Sequence, residues 1–91
     1  MYVLMITYNF DGGYEARKCE KYNDAVVLLN TYLKEEIETV KRKSGYMPSV
    51  LKWDEDDITL VYAEGYTLNT EEKEKRNYAS EDCAYYRIFQ I

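Results

Sequence analysis

Histidine does not occur in this chain. Its absence removes the commonest general base and the commonest metal ligand. Cysteine occurs only twice, at Cys19 and Cys83. Two thiols are too few for a disulfide framework, and neither has a histidine to activate it. Both are expected to be reduced and packed as small apolar groups. There is one proline and there are four glycines, so no linker or low-complexity tract stands out. No glycine-rich phosphate loop is present: Asp11-Gly12-Gly13 follows an apolar run but does not open a helix. No serine lies in a nucleophile-elbow context. No apolar run approaches the roughly 20 residues that span a bilayer. The opening MYVLMITYNF lacks the basic start of a signal peptide. The expectation is a cytoplasmic protein that is not an enzyme, with no cofactor, no metal and no membrane association.

What the chain does contain is a globular balance, with 46% apolar and 32% charged residues. Its 91 residues are expected to form a single α+β domain over 1–91. The clearest element is a helix over 23–45. Val26, Leu29, Leu33, Ile37 and Val40 recur at steps of three and four, and Ala25, Leu28 and Tyr32 widen the stripe. Asn23 is the expected N-cap, with Tyr22 and Val27 at staple spacing. Asp24 in the first turn and Lys41, Arg42 and Lys43 in the last complement the helix dipole. Gly45 suits a left-handed C-terminal cap.

The remaining segments read as strands. Tyr2 to Phe10 alternates, with Val3, Met5, Thr7 and Asn9 on one face. Asp11-Gly12-Gly13 is a turn, and Tyr14 to Glu20 returns as a charged edge strand. Val50 to Trp53 is a short strand, and Asp54-Glu55-Asp56-Asp57 is a polar turn. Ile58 to Leu68 is expected as one long strand, with a bulge at Gly65. Segment 69–82 is strongly polar, either a short helix capped by Asn69 or Thr70 or a loop. Cys83 to Ile91 closes the chain as a strand. The order ββαβββ predicts a mostly antiparallel sheet of four or five strands with one long helix packed on one face. One helix covers one face only. Val3, Met5, Val61 and Ala63 point to the other, so a homodimer or a partner is expected to cover them.

Charge is uneven along the chain. Residues 1–45 are neutral, and the whole excess of −5 falls in 46–91. Net negative charge disfavours direct binding of nucleic acid and suits a basic protein or nucleoprotein. The 54–57 run fails as a calcium loop, because Thr59 stands where the loop glycine belongs and no closing glutamate follows. Lys41-Arg42-Lys43 is explained by the helix dipole alone. Eleven tyrosines are a heavy load; strand propensity accounts for most of them as structural, but tyrosine also gives interface area at low entropy cost. Tyr62, Tyr66, Tyr85 and Tyr86 bracket the acidic segment, where rings beside carboxylates can receive arginine. The expected partner-binding set is therefore Asp54, Glu55, Asp56, Asp57, Glu64, Tyr66, Glu71, Glu72, Glu74, Tyr85 and Tyr86. Glu81 and Asp82 extend the same acidic array.

In size, acidity and want of catalytic groups the chain resembles the small inhibitors that phages and mobile elements direct against host defences, the anti-CRISPR proteins among them. The resemblance covers general character and no motif. It implies a protein-binding inhibitor in the host cytosol that blocks a basic, nucleic-acid-binding surface. Two other readings stand beside it. One is a homo-oligomeric binder of a small ligand or nucleotide, with Arg87 or Lys52 holding an anion. The other is a structural or assembly subunit.

Overall fold

The computed structural model describes residues 1–63 and 81–91. Its elements are β1 (Tyr2–Tyr8), β2 (Tyr14–Cys19), α1 (Tyr22–Ser44), β3 (Ser49–Asp54), β4 (Asp57–Val61) and β5 (Cys83–Gln90). The five strands form one sheet in the order β2-β1-β5-β4-β3, and every neighbouring pair is antiparallel. The architecture is the α+β arrangement the sequence predicts. The chemistry of each strand explains its place. The charged sequence YEARKC of β2 sits at an edge, where its backbone and side chains meet water. β5, which carries Tyr85, Tyr86, Ile88 and Phe89, pairs on both sides, between β1 and β4.

Register places Leu4, Ile88 and Arg17 in one row, and Ile6, Tyr86 and Ile58 in another. Side chains alternate across a strand, so these rows share the face on which the helix lies. Ala25, Leu29 and Leu33 of α1 pack there against Leu4, Ile6, Ile58, Leu60, Ala84, Tyr86 and Ile88. The helix runs over β1, β5 and β2. Its most deeply buried line is Ala25-Leu29-Leu33, with Val26 and Ile37 flanking it rather than leading it.

Several boundaries differ from the sequence expectation. The helix starts at Tyr22, with Lys21 in extended geometry as N-cap and no side-chain cap hydrogen bond. Asn23 therefore lies inside the first turn instead of capping it. Val27 is exposed, so no staple forms. Tyr22 does the anchoring instead. Its ring packs edge-on against Tyr2 at 5.4 Å, and its hydroxyl donates to Glu55 Oε1 at 2.9 Å. The C-terminal end is as expected: Gly45 has φ 80°, and its N–H donates to the Lys41 carbonyl at 2.9 Å.

The first strand ends at Tyr8 rather than Phe10. Asn9 explains this. Its side-chain carbonyl accepts from Cys83 N–H at 2.7 Å, and its amide donates to the Glu81 carbonyl at 2.8 Å. Released from the ladder, Phe10 turns its ring edge-on to Tyr8 and Tyr62, at 5.7 and 5.6 Å. The following turn closes as predicted, with Gly12 at φ 69° and Gly13 N–H donating to Asp11 Oδ1. β4 ends at Val61, although the sequence suggests a strand running to Leu68. Positions 64–68 of that expectation, and the helix-or-loop question over most of 69–82, lie outside the described residues.

The face away from the helix divides into two parts. At one end Leu51, Val61 and Cys83 form a small buried cluster, with Ala63 and Tyr85 against it. Trp53 Nε1 donates to Thr59 Oγ1 at 3.0 Å beside it. Val61 is thus closed off within the chain and does not await a partner, contrary to the sequence expectation. At the other end the apolar surface is open. Val3 and Met5 are half-buried, and Phe89 is exposed on the neighbouring strand. Neither cysteine is in a disulfide: Cys83 is buried and Cys19 half-buried. No helix among the described residues is long and apolar enough to cross a membrane.

Candidate functional site

The acidic turn emerges as a tight hairpin between β3 and β4, with Asp54 opposite Asp57. A register shift between Lys52 and Asp54 accompanies it. Its charges are partly occupied. Arg87 Nε lies 3.3 Å from Asp57 Oδ1 and forms the one ion pair among the described residues. Glu55 receives the Tyr22 hydroxyl, and Asp54 Oδ1 accepts the Glu55 N–H at 2.7 Å. The Asp56 carbonyl accepts from Ile88 N–H, which ties the turn to β5. Desolvation, the Glu55 hydrogen bond and the charges of Asp54, Glu55 and Asp56 push Tyr22 up to about 12. The turn is thus braced against the start of the helix as well as facing water.

Tyr85 and Tyr86 cannot serve one surface. Consecutive strand residues point to opposite faces. Tyr85 lies on the open face, where the Arg87 guanidinium sits 5.2 Å from its ring centre. Tyr86 points under the helix and is 1% exposed. Its ring belongs to the core and borders only the cleft beneath the helix, so Tyr86 is corrected from a surface contact beside Tyr85 to a core residue. Glu64, Tyr66, Glu71, Glu72 and Glu74 lie outside the described residues. Of the expected set, the structure brings together Asp54, Glu55, Asp56 and Asp57, with Tyr85 reached through Arg87.

A second acidic site was not anticipated. A cleft of about 270 Å³ opens between the helix and the sheet, lined by Ile6, Tyr8, Glu15, Tyr32, Glu35, Glu36, Thr39 and Tyr86. Three elements build it besides β5. β1 supplies Ile6 and Tyr8, β2 supplies Glu15 opposite Ile6, and α1 supplies Tyr32, Glu35, Glu36 and Thr39. Tyr32, Glu36 and Thr39 follow the three-and-four spacing of one helix edge. None of Glu15, Glu35 and Glu36 is in an ion pair among the described residues. Arg17, two residues along β2 from Glu15, is exposed and donates to the Ala16 carbonyl.

The electrostatics of the cleft are set by burial and by these carboxylates. Burial, followed by the charges of Glu15, Glu36 and Asp11, raises the Tyr8 phenol above its ordinary value. Burial, then Tyr62, Glu36, Tyr8 and Glu15, raises Tyr86 far above it. Tyr62, linked to the same group through Phe10, is raised chiefly by burial and then by Glu36. These phenols stay neutral at physiological pH and can both donate and accept. No group of three or more His, Cys, Asp or Glu among the described residues is arranged to hold a metal ion. The sequence signal for the cleft was the Tyr32–Glu36 pair on the helix. Reading it requires knowing that β1 is flanked by β2 and β5.

Comparison with protein-family models, with curated proteins and with solved structures found no match.

Proposed function

We propose that this chain is a non-enzymatic protein-binding module, an inhibitor of the phage or mobile-element kind. It blocks a basic, nucleic-acid-binding surface of a host defence protein with carboxylates and tyrosines. The observation that carries this reading is the acid around the tyrosine cleft: Glu15, Glu35 and Glu36 have no ion-pair partner among the described residues. Unpaired carboxylates beside aromatic rings are matched by arginine, through charge and stacking together. The hairpin tip at Asp54, Glu55 and Asp56 supplies further negative surface. The nucleotide-binder alternative is less favoured, since Arg87, one of its two candidate anchors beside Lys52, already lies against Asp57 and Tyr85. The cleft's negative lining also repels phosphate.

The test is binding to nucleic-acid-processing defence effectors, with competing nucleic acid, at two salt concentrations. Binding is expected to compete with nucleic acid and to weaken as salt rises. Reversal at Glu35→Lys with Glu36→Lys is expected to reduce affinity by at least about tenfold, and reversal at Asp54→Lys with Glu55→Lys by less. Binding that is indifferent to salt and to both reversals would sink the proposal.

The same reading includes a homodimer. Phe89 is 48% exposed on the face opposite the helix, and Val3 and Met5 adjoin it. Met1 and Ile91, joined by a backbone hydrogen bond, lie at the end of the same two strands and are also exposed. A second copy would cover this apolar end. Sedimentation over a wide concentration range is expected to show a dimer that Phe89→Asp returns to monomer. A wild-type chain that stays monomeric throughout refutes the dimer.

A further inference from the structure

The most informative atom in the cleft is the Tyr86 hydroxyl. Tyr86 is 1% exposed, and its hydroxyl makes no hydrogen bond among the described residues. A buried hydroxyl without a partner destabilises the fold, and a phenylalanine would avoid that cost. The residue lines the same cleft as Glu15, Glu35 and Glu36. It is therefore a polar group held, at a cost to folding, in a cleft also lined by three carboxylates that make no ion pair among the described residues. A carboxylate only accepts hydrogen bonds, whereas a phenol accepts and donates. A ligand that satisfies all of them must present several N–H donors and a positive charge.

Three observations narrow its shape. The volume of about 270 Å³ is below the range of roughly 300–1,000 Å³ usual for drug-sized ligands. It suits the end of a side chain better than a nucleotide. The carboxylates do not close on a metal. The walls carry the rings of Tyr8 and Tyr32 beside that of Tyr86. A planar cation with donors in a fixed fork stacks on such rings and spans separated carboxylates, which a compact ammonium does less well.

We infer that this cleft is a receptor for a guanidinium group, held by Glu15, Glu35 and Glu36 and by the hydroxyl of Tyr86. The inference rests on the proposal that the chain binds a basic partner, and it names the group received. Glu36 is the central anchor: its charge acts on Tyr8, Tyr62 and Tyr86 alike. Glu15 closes the β2 side, and the helix carboxylates close the other.

The experiment follows the tyrosine ring resonances of the intact chain during titration with the tripeptide Gly-Arg-Gly. Its control is the same peptide with citrulline, which keeps the shape and loses the charge. Saturable shifts at Tyr8, Tyr32 and Tyr86 are expected with the arginine peptide, and binding of the citrulline peptide at least about tenfold weaker. Glu36→Gln is expected to weaken arginine-peptide binding about tenfold, and Tyr86→Phe several-fold, while both variants stay folded. Glu15→Gln provides a second carboxylate variant on a different element. Methylguanidine distinguishes the source of the group: equal affinity points to a free small guanidine, and tighter binding of the peptide points to a partner's arginine. Equal responses to arginine and citrulline, or unaltered affinity in Glu36→Gln and Tyr86→Phe, would overturn the receptor. If effector binding survives Glu36→Gln while the peptides fail, only the cleft is wrong. If the peptides bind but no basic partner does, only the inhibitor reading is wrong.

Discussion

Replacing Leu29 by alanine is expected to destabilise the fold by about 3 kcal/mol, within the 2–5 kcal/mol range for buried leucines. Leu29 is completely buried at the centre of the helix stripe and packs into the one cluster that joins helix to sheet. A single helix closes that face, so no second element can slide in to fill the cavity. A domain of this size has roughly 5–14 kcal/mol of stability in total. The loss should lower the thermal midpoint by roughly 12–24 °C. Calorimetry on the two proteins measures it directly. Val27→Ala on the outer face is the control, expected within about 0.5 kcal/mol because Val27 is exposed. Comparable losses at both positions would mean that the helix does not dock as described.

Leu29 lies on a helical stripe that is legible in the sequence, as are the alternating faces of the first and last strands. Those features are periodic, and periodicity survives without tertiary information. The cap is Lys21, and the helix start differs from the sequence expectation because Asn23 has good capping chemistry. Tyr22 overrides it through Tyr2 and Glu55, partners distant in sequence. Val61 was read as waiting for a partner, since its burial depends on Leu51 and Cys83 from two other strands. The candidate site shows the same division. The acidic turn is contiguous and was legible. The cleft draws on β1, β2, α1 and β5, so it exists only once the strand order is known. Tyr86 was counted with its neighbours by composition, yet alternation along β5 puts it under the helix while Tyr85 stays outside.

Alkaline titration carries the second large effect, and Tyr86 is its reporter. Folding raises the phenols of Tyr62 and Tyr86 well above 10, mainly by burial and secondarily through Glu36 and Tyr8, with Tyr62 also acting on Tyr86. An unfolded tyrosine ionises at about 10. Below that pH neither state loses a proton, and the stabilisation linked to the neutral phenols is fully present. Above it the unfolded chain sheds protons that the folded chain keeps, so stability falls as pH rises. The slope for two such groups is about 2.7 kcal/mol per pH unit. The domain should therefore unfold cooperatively within a few pH units above 10, with part of the tyrosinate absorbance appearing only at that transition. Tyr86→Phe removes one of the two groups and about half of the slope. The variant should therefore gain stability over the parent with every step above pH 10. At neutral pH it should be equal to the parent or about 1 kcal/mol more stable, since it no longer buries an unpartnered hydroxyl. Denaturant unfolding at several pH values separates these contributions. A Tyr86→Phe protein that is less stable at neutral pH would mean that the hydroxyl has a structural partner, and the case for a receptor in the cleft would lose its main support.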